Sequence, residues 1–292
     1  MRIANHGGRA VIVIPAGTGD ATSDPTGDMV VDISELSGGA IGPDMRSVYD
    51  NWDDVLALAA NVKPFGSDPE RRVFDETQLG CPVPEPRQVF AIGLNYRTHA
   101  EESGMTLPAV PATFTKFPAS LSGPFDDIEI VGEAVDWEVE LVAIIGKRAD
   151  QVAEADGWSF VAGLTIGQDI SDRALQFAAG AQFSLGKSRR GYGPLGPVVV
   201  SVDEFADRDD LALGCSVNGE TMQDARTNDL VFDVPRLVAE LSAVLPLLPG
   251  DVIFTGTPSG VGMARKPPRS LHAGDVLETW IEGIGTIRNR CV

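Results

Sequence analysis

The run Asp136-Trp137-Glu138-Val139-Glu140-Leu141 places an acid at every second position. In an extended chain the side chains alternate, so Trp137, Val139 and Leu141 face one way and the three acids face the other. The run continues through Val142-Ala143-Ile144-Ile145 without polar relief, which takes the strand into a buried sheet. Neighbouring carboxylates on such a strand repel one another, and burial penalises their charged forms unless something positive sits among them. Oxygen donors of this kind suit Mg²⁺, Mn²⁺ or Ca²⁺. Asp169 is the best third ligand, because it ends the apolar run 160–167 at the point where a chain leaves a sheet. An edge strand whose acids face water stands as the alternative.

The chain has three histidines, so an imidazole base has few candidates. His99 lies in Asn95-Tyr96-Arg97-Thr98-His99-Ala100-Glu101-Glu102. Thr98 could cap a helix there, and His99 and Glu102 would share a face at i, i+3. A carboxylate so placed orients an imidazole, as a water-activating base requires. A solvated surface pair is the simpler reading of an isolated His-x-x-Glu. His6, beside Gly7-Gly8, reads as turn chemistry.

The elements that must carry these groups follow from periodicity and turn signals. Residues 9–15 and 29–33 read as strands, and 47–62 as a helix with Val48, Trp52, Val55, Leu56 and Ala59 on one stripe. Pro64, Pro69 and the Pro-rich stretch 81–86 then punctuate the chain, which puts a boundary near residue 85. Residues 1–85 form a small N-terminal α/β domain in this reading, and 86–292 a larger β-dominated one. Short apolar runs at 89–93, 139–145, 160–166, 197–202, 211–217, 252–255 and 276–281 alternate with turns. Only 230–247 offers a second helix, with Val234, Leu237, Val238, Leu241, Val244 and Leu245 on one face. The fold class is α+β, dominated by strands.

Composition narrows the partners. With 42 acidic and 23 basic residues the net charge is −19, which repels nucleic acid and anionic membranes. An anionic substrate would need a local basic patch against that field. Cys81, Cys215 and Cys291 are odd in number and far apart, so neither a disulfide framework nor a thiolate metal site is expected. No basic, long-apolar start is seen, and no run approaches the ~18 apolar residues of a membrane span, so a cytoplasmic protein is the expectation. The segment Gly186-Lys187-Ser188 lacks the upstream glycine spacing of a phosphate loop, and residues 256–262 do not follow G-x-G-x-x-G.

Taken together, Gly93-Leu94-Asn95-Tyr96 with His99, residues 136–146 with Lys147, Gln168-Asp169-Ile170-Ser171-Asp172-Arg173, Gly193-Pro194-Leu195-Gly196-Pro197 and Thr255-Gly256-Thr257-Pro258-Ser259-Gly260-Val261-Gly262 resemble the motifs of the fumarylacetoacetate hydrolase superfamily, in its order. The resemblance covers roughly residues 86–292, and the N-terminal unit is similar to the small domain many members carry. It implies a mixed β-sheet roll with a divalent ion on Glu138, Glu140 and Asp169. It further implies a water-activating dyad of His99 and Glu102, a pocket lysine at Lys187, and substrate contacts from Arg173, Gln176, Tyr192 and Thr257. Where some members have a fourth acidic ligand this chain has Ile92, so three carboxylates are implied. After Lys187 it reads Ser188-Arg189-Arg190-Gly191-Tyr192 in place of an Asp-Thr-Phe-like stretch, which leaves the substrate open. Arg189 and Arg190 are the candidates for the basic patch.

The implied reaction is metal-dependent hydrolysis of a carbon-carbon bond in a small anionic 2-oxo acid, an acylpyruvate or fumarylacetoacetate-like diketo acid, by a homodimer. Decarboxylation, tautomerisation or dehydration at the same metal-enolate site are the alternatives. A non-catalytic dicarboxylate-binding protein is the alternative of another class.

Overall fold

The computed structural model describes residues 1–15, 28–62 and 71–292; Pro64 and Pro69 lie outside them. Strand Val139–Ile145 pairs antiparallel with Val161–Gln168 on one side and with Val252–Phe254 on the other, so it is central and buried along its whole length. Leu141, Ala143 and Ile145 enter one core, and Val142 and Ile144 enter a second core on the opposite face. Burial on both faces is why residues 141–145 are continuously apolar rather than alternating.

Among the described residues the large sheet has twelve strands. Its path runs Arg71–Val73, Met29–Asp32, Arg9–Ile14, Arg2–His6, Gly193–Ser201, Val161–Gln168, Val139–Ile145, Val252–Phe254, Val89–Gly93, Ala112–Thr115. The sheet is mixed: Val252–Phe254 runs parallel to Val89–Gly93, while its other neighbour is antiparallel. Strand Arg2–His6, not foreseen from its polar composition, joins the N-terminal hairpin to the sheet through Arg2↔Val200 and Ile3↔Val199. The first 85 residues thus add strands to the sheet that carries the acids. A second, antiparallel sheet holds Glu220–Arg226, Ala212–Val217, Val276–Ile281 and Gly285–Arg290. Leu213, Val217, Leu277 and Ile281 from it line the first core, together with Leu237 and Leu241 of helix Val234–Ser242. The β-dominated α+β class read from the sequence is the observed one.

The helices are shorter than periodicity alone suggests. Residues 47–62 are two helices, Met45–Asp50 and Trp52–Ala59, parted at Asn51, whose side chain bonds the Ser47 carbonyl at 2.8 Å. Asn competes with the helix for its own carbonyls in this way. Val48, Trp52 and Val55 still share the second core. Residues 230–247 reduce to Val234–Ser242, which begins at the N-cap Asp233, bonded to Arg236 N at 3.0 Å, with a proline in its first turn.

Candidate active site

The acidic run breaks just where it becomes useful. Asp136 ends the short strand Val135–Asp136, and the next strand starts at Val139. Across the gap two buried amide side chains replace the sheet ladder: Gln168 Oε1 accepts from Glu138 N at 2.8 Å, and Gln223 Oε1 accepts from Val139 N at 2.9 Å. Glu138 and Glu140 therefore project from a main chain held on every side. Asp169 follows directly on Val161–Gln168, and its N–H donates to Glu138 O at 3.0 Å. Glu138, Glu140 and Asp169 are all buried, and one oxygen of each lies within 4.8 Å of the others. The edge-strand alternative is excluded by that burial.

Cations from three segments enter this cluster. Lys187 Nζ donates to Glu138 Oε2 at 2.6 Å and to Asp169 Oδ2 at 2.7 Å. Arg173 reaches Glu138 Oε1 at 2.7 Å and Asp136 Oδ2 at 2.6 Å, and its Nη1 donates to Gln176 Oε1 at 3.0 Å. Lys116, fully buried, donates to Asp169 Oδ1 at 2.6 Å and also to the Lys187 carbonyl. Nothing in its sequence surroundings, Phe114-Thr115-Lys116-Phe117, marked it; only the fold brings it here.

Glu140 is the exception. It accepts from Gly256 N at 2.7 Å, and no lysine or arginine among the described residues forms an ion pair with it. Burial, and then the charges of Asp169 and Glu138, push its pKa well above the ordinary carboxylate value. Burial would do the same to Glu138, but Lys187 and Arg173 outweigh it and bring that acid down to about 2. Lys187 is opposed by burial, yet Asp169 and Glu138 hold its pKa above the usual lysine value. A cluster of three convergent oxygens in which one acid lacks a counter-charge fits an added hard cation, and Glu138, Glu140 and Asp169 are the residues that would hold it.

His99 and Glu102 lie on helix Arg97–Ser103, with Nδ1 and Oε2 3.4 Å apart, both partly exposed. His99 is close enough for its positive form to help hold Glu138 ionised. Glu102 is fixed by Gly260 N, which donates to its two oxygens at 3.0 and 3.1 Å. The helix is not capped by Thr98. Its N-cap is Tyr96, with no side-chain bond, and Asp229 caps it from afar, accepting from Thr98 N at 3.0 Å and Thr98 Oγ1 at 2.7 Å. Thr98 is the second residue of the helix, two positions past the N-cap, and so too deep to cap it itself. Asn95 ties the preceding turn to two other segments, donating to Phe232 O at 2.9 Å and Thr255 O at 2.7 Å.

Two glycines make the close approaches. A Cβ on Gly256 would lie 2.7 Å from Asn95 Cβ at a φ of +102°, so only glycine brings that amide to Glu140. A Cβ on Gly186 would lie 2.4 Å from Gln176 N, so glycine lets the Lys187 segment close on helix Arg173–Ala178.

The remaining expected residues fall as follows. Gln176 is buried against Arg173. Thr257 is buried beside the acidic strand, donating to Val139 O at 2.8 Å. Tyr192 is fully buried in the first core. Arg189 is held by Asp172 at 2.8 Å, the residue that also caps helix Arg173–Ala178, so it does not serve as a free basic patch; Arg190 is exposed. His6 sits at a strand end, where Nε2 accepts from Asp75 N at 3.2 Å.

With this geometry in place, comparison with known proteins gives the class. Residues 88–292 match the fumarylacetoacetate (FAA) hydrolase C-terminal family, and the chain belongs to it. It is 43% identical over 214 residues to oxaloacetate tautomerase Fahd2a, mitochondrial, of Rattus norvegicus, covering 73% of this chain and 68% of that protein. It is 38% identical over 268 residues to the fumarylacetoacetate hydrolase domain-containing protein 2 homolog of Dictyostelium discoideum, covering 86% of each. Maleylpyruvate hydrolase from Sphingobium sp. SYK-6, solved with manganese(II) and pyruvate, superposes with a TM-score of 0.76 at 30% identity, covering 100% of this chain and 99% of that one.

Proposed function

We propose that the chain is a divalent-cation-dependent enzyme that interconverts the enol and keto forms of a small 2-oxo acid of the oxaloacetate type. The observation that carries this reading is the buried triad with Glu140 left without a counter-charge, next to a lysine and a His-Glu pair. The naming of relatives above 40% identity as oxaloacetate tautomerases supports the choice among enolate reactions. A Mg²⁺ or Mn²⁺ ion on Glu138, Glu140 and Asp169 would supply the Lewis acidity that stabilises negative charge on a 2-oxo oxygen.

The chain's own residues do the rest. His99, oriented by Glu102, takes the proton from the enol oxygen and returns one to the adjacent carbon. One O–H bond breaks, one C–H bond forms, and no water is consumed. The Lys187 ammonium faces the charge that develops on oxygen, and Arg173 and Gln176 position the acid.

Hydrolysis of an acylpyruvate is the second reading. The partial exposure of His99 and Glu102 favours it, because water reaches the pair that would deprotonate it. Two assays separate the readings. Decay of the oxaloacetate enol absorbance should accelerate with Mn²⁺ or Mg²⁺ at constant total 2-oxo acid, and EDTA should abolish it. Cleavage of acylpyruvates without any effect on the enol would move the assignment to hydrolase. Turnover that ignores EDTA would remove the cation from the reaction.

A further inference from the structure

The strongest unassigned group in the molecule is Lys116. It is a fully buried lysine just past strand Ala112–Thr115, and no part of the proposed proton transfer uses it. Its ammonium closes a ring with the site. It donates to Asp169 Oδ1 at 2.6 Å, the other oxygen of that acid accepts from Lys187 Nζ at 2.7 Å, and the carbonyl of Lys187 accepts from Lys116 again. The ring of Phe254 covers it at 5.7 Å, and the missing side chain of Gly193 makes room for its stem, since a Cβ there would lie 3.2 Å from Lys116 Cε.

We propose that Lys116 is a positioning residue that divides the labour of Asp169. It takes Oδ1 out of use, so that Asp169 presents a single oxygen to a cation, and it anchors the main chain of Lys187 so that Nζ meets Glu138 and Asp169. The inference rests on the cation reading of the triad.

The charge count gives the role a distinctive signature. Counted formally, with every group in its charged form, Asp136, Glu138, Glu140 and Asp169 contribute four negative charges, and Lys116, Arg173 and Lys187 three positive ones. The network thus has a net charge of −1 with every acid ionised, and +1 with a divalent ion bound. Without Lys116 these become −2 and 0, so the cation is held more tightly. Asp169 is then free to turn, and Lys187 loses its anchor, so turnover is slower. Tighter metal with slower chemistry is a combination that general loosening of the core does not produce.

The test is Mn²⁺ binding by titration calorimetry on the purified full chain and on Lys116→Met, alongside kcat and KM for the oxaloacetate enol. The expected result is a Kd for Mn²⁺ lower by about ten-fold, with kcat at saturating Mn²⁺ lower by about 10- to 100-fold, the range for groups that orient metal ligands. KM should change less than kcat. Should the methionine variant be too unstable to purify, Lys116→Gln, which keeps a donor but no charge, is read in the same way. Weaker Mn²⁺ binding together with lower kcat would overturn the proposal in favour of a packing role. Unchanged values of both would also overturn it. An unsubstituted chain that binds no Mn²⁺ would refute the cation site itself, and this inference with it.

Discussion

Glu140 and Lys187 show how much a single buried charge can decide. Glu138 and Asp169 each have lysine or arginine partners at 2.6–2.7 Å, whereas among the described residues Glu140 has the Gly256 amide and no ion pair. An ionised carboxylate buried in this way is costly, so under the proposed cation reading Glu140 is kept for binding rather than for stability. Glu140→Gln should therefore abolish Mn²⁺ binding and lower activity by more than about 100-fold, while the melting temperature of the cation-free protein stays level or rises. A marked fall in that melting temperature would mean that Glu140 is a structural acid. His99→Ala addresses the proton instead: enol-keto turnover should collapse while Mn²⁺ binding is retained, because no triad oxygen is lost.

At the scale of the element, helix Arg97–Ser103 is seven residues long and is held at its start by an acid from residue 229. A helix this short is marginal in isolation, so its position depends on that cap and on the hold of Gly260 on Glu102. Asp229→Ala removes a cap worth about 0.5–2 kcal/mol. Because Glu138, Glu140 and Asp169 stand on other segments, the expected outcome is a several-fold loss in kcat with Mn²⁺ affinity unchanged. Parallel loss of metal affinity would show that the helix and the triad are one unit. This dependence also explains why the sequence pointed to Thr98 as cap: local spacing offers the nearest hydroxyl, while the true acceptor is 131 residues away.

For the molecule as a whole, the N-terminal strands join the large sheet through the pairing of Arg2–His6 with Gly193–Ser201, and are tied to one another by a buried acid as well as by pairing. Asp32 is buried, accepts from Arg9 Nε at 2.5 Å and caps the helix Ile33–Leu36 through Glu35 N at 3.0 Å. Burial would raise its pKa, but the bonds from Arg9 and Glu35 outweigh it and hold it below the ordinary carboxylate value. The sign follows from linkage: a carboxylate lowered on folding adds stability at pH above its unfolded pKa, and that stability is lost as pH falls through the folded value. Chemical denaturation across the acid range should show stability declining on that limb, and Asp32→Asn should flatten it. An unchanged slope in the variant would exclude Asp32 from the transition.

The alternation of acids at 136–140 and the apolar run behind them determined on their own that the acids share one face of a strand leading into a buried sheet, because strand geometry is local and has a period of two, while whether that face meets water or the core was left to the fold. The order of the motifs likewise carried the family and the β-dominated class. What the tertiary structure decided is which charges meet. Lys116 reaches Asp169 across 53 residues, Lys187 reaches Glu138 across 49, and Gly256 reaches Glu140 across 116. Those separations are bridged by sheet order, in which strands distant in sequence become neighbours, and periodicity along one segment holds no record of it. Tertiary contacts also gave Arg189 to Asp172 and, among the described residues, left Glu140 without an ion-pair partner.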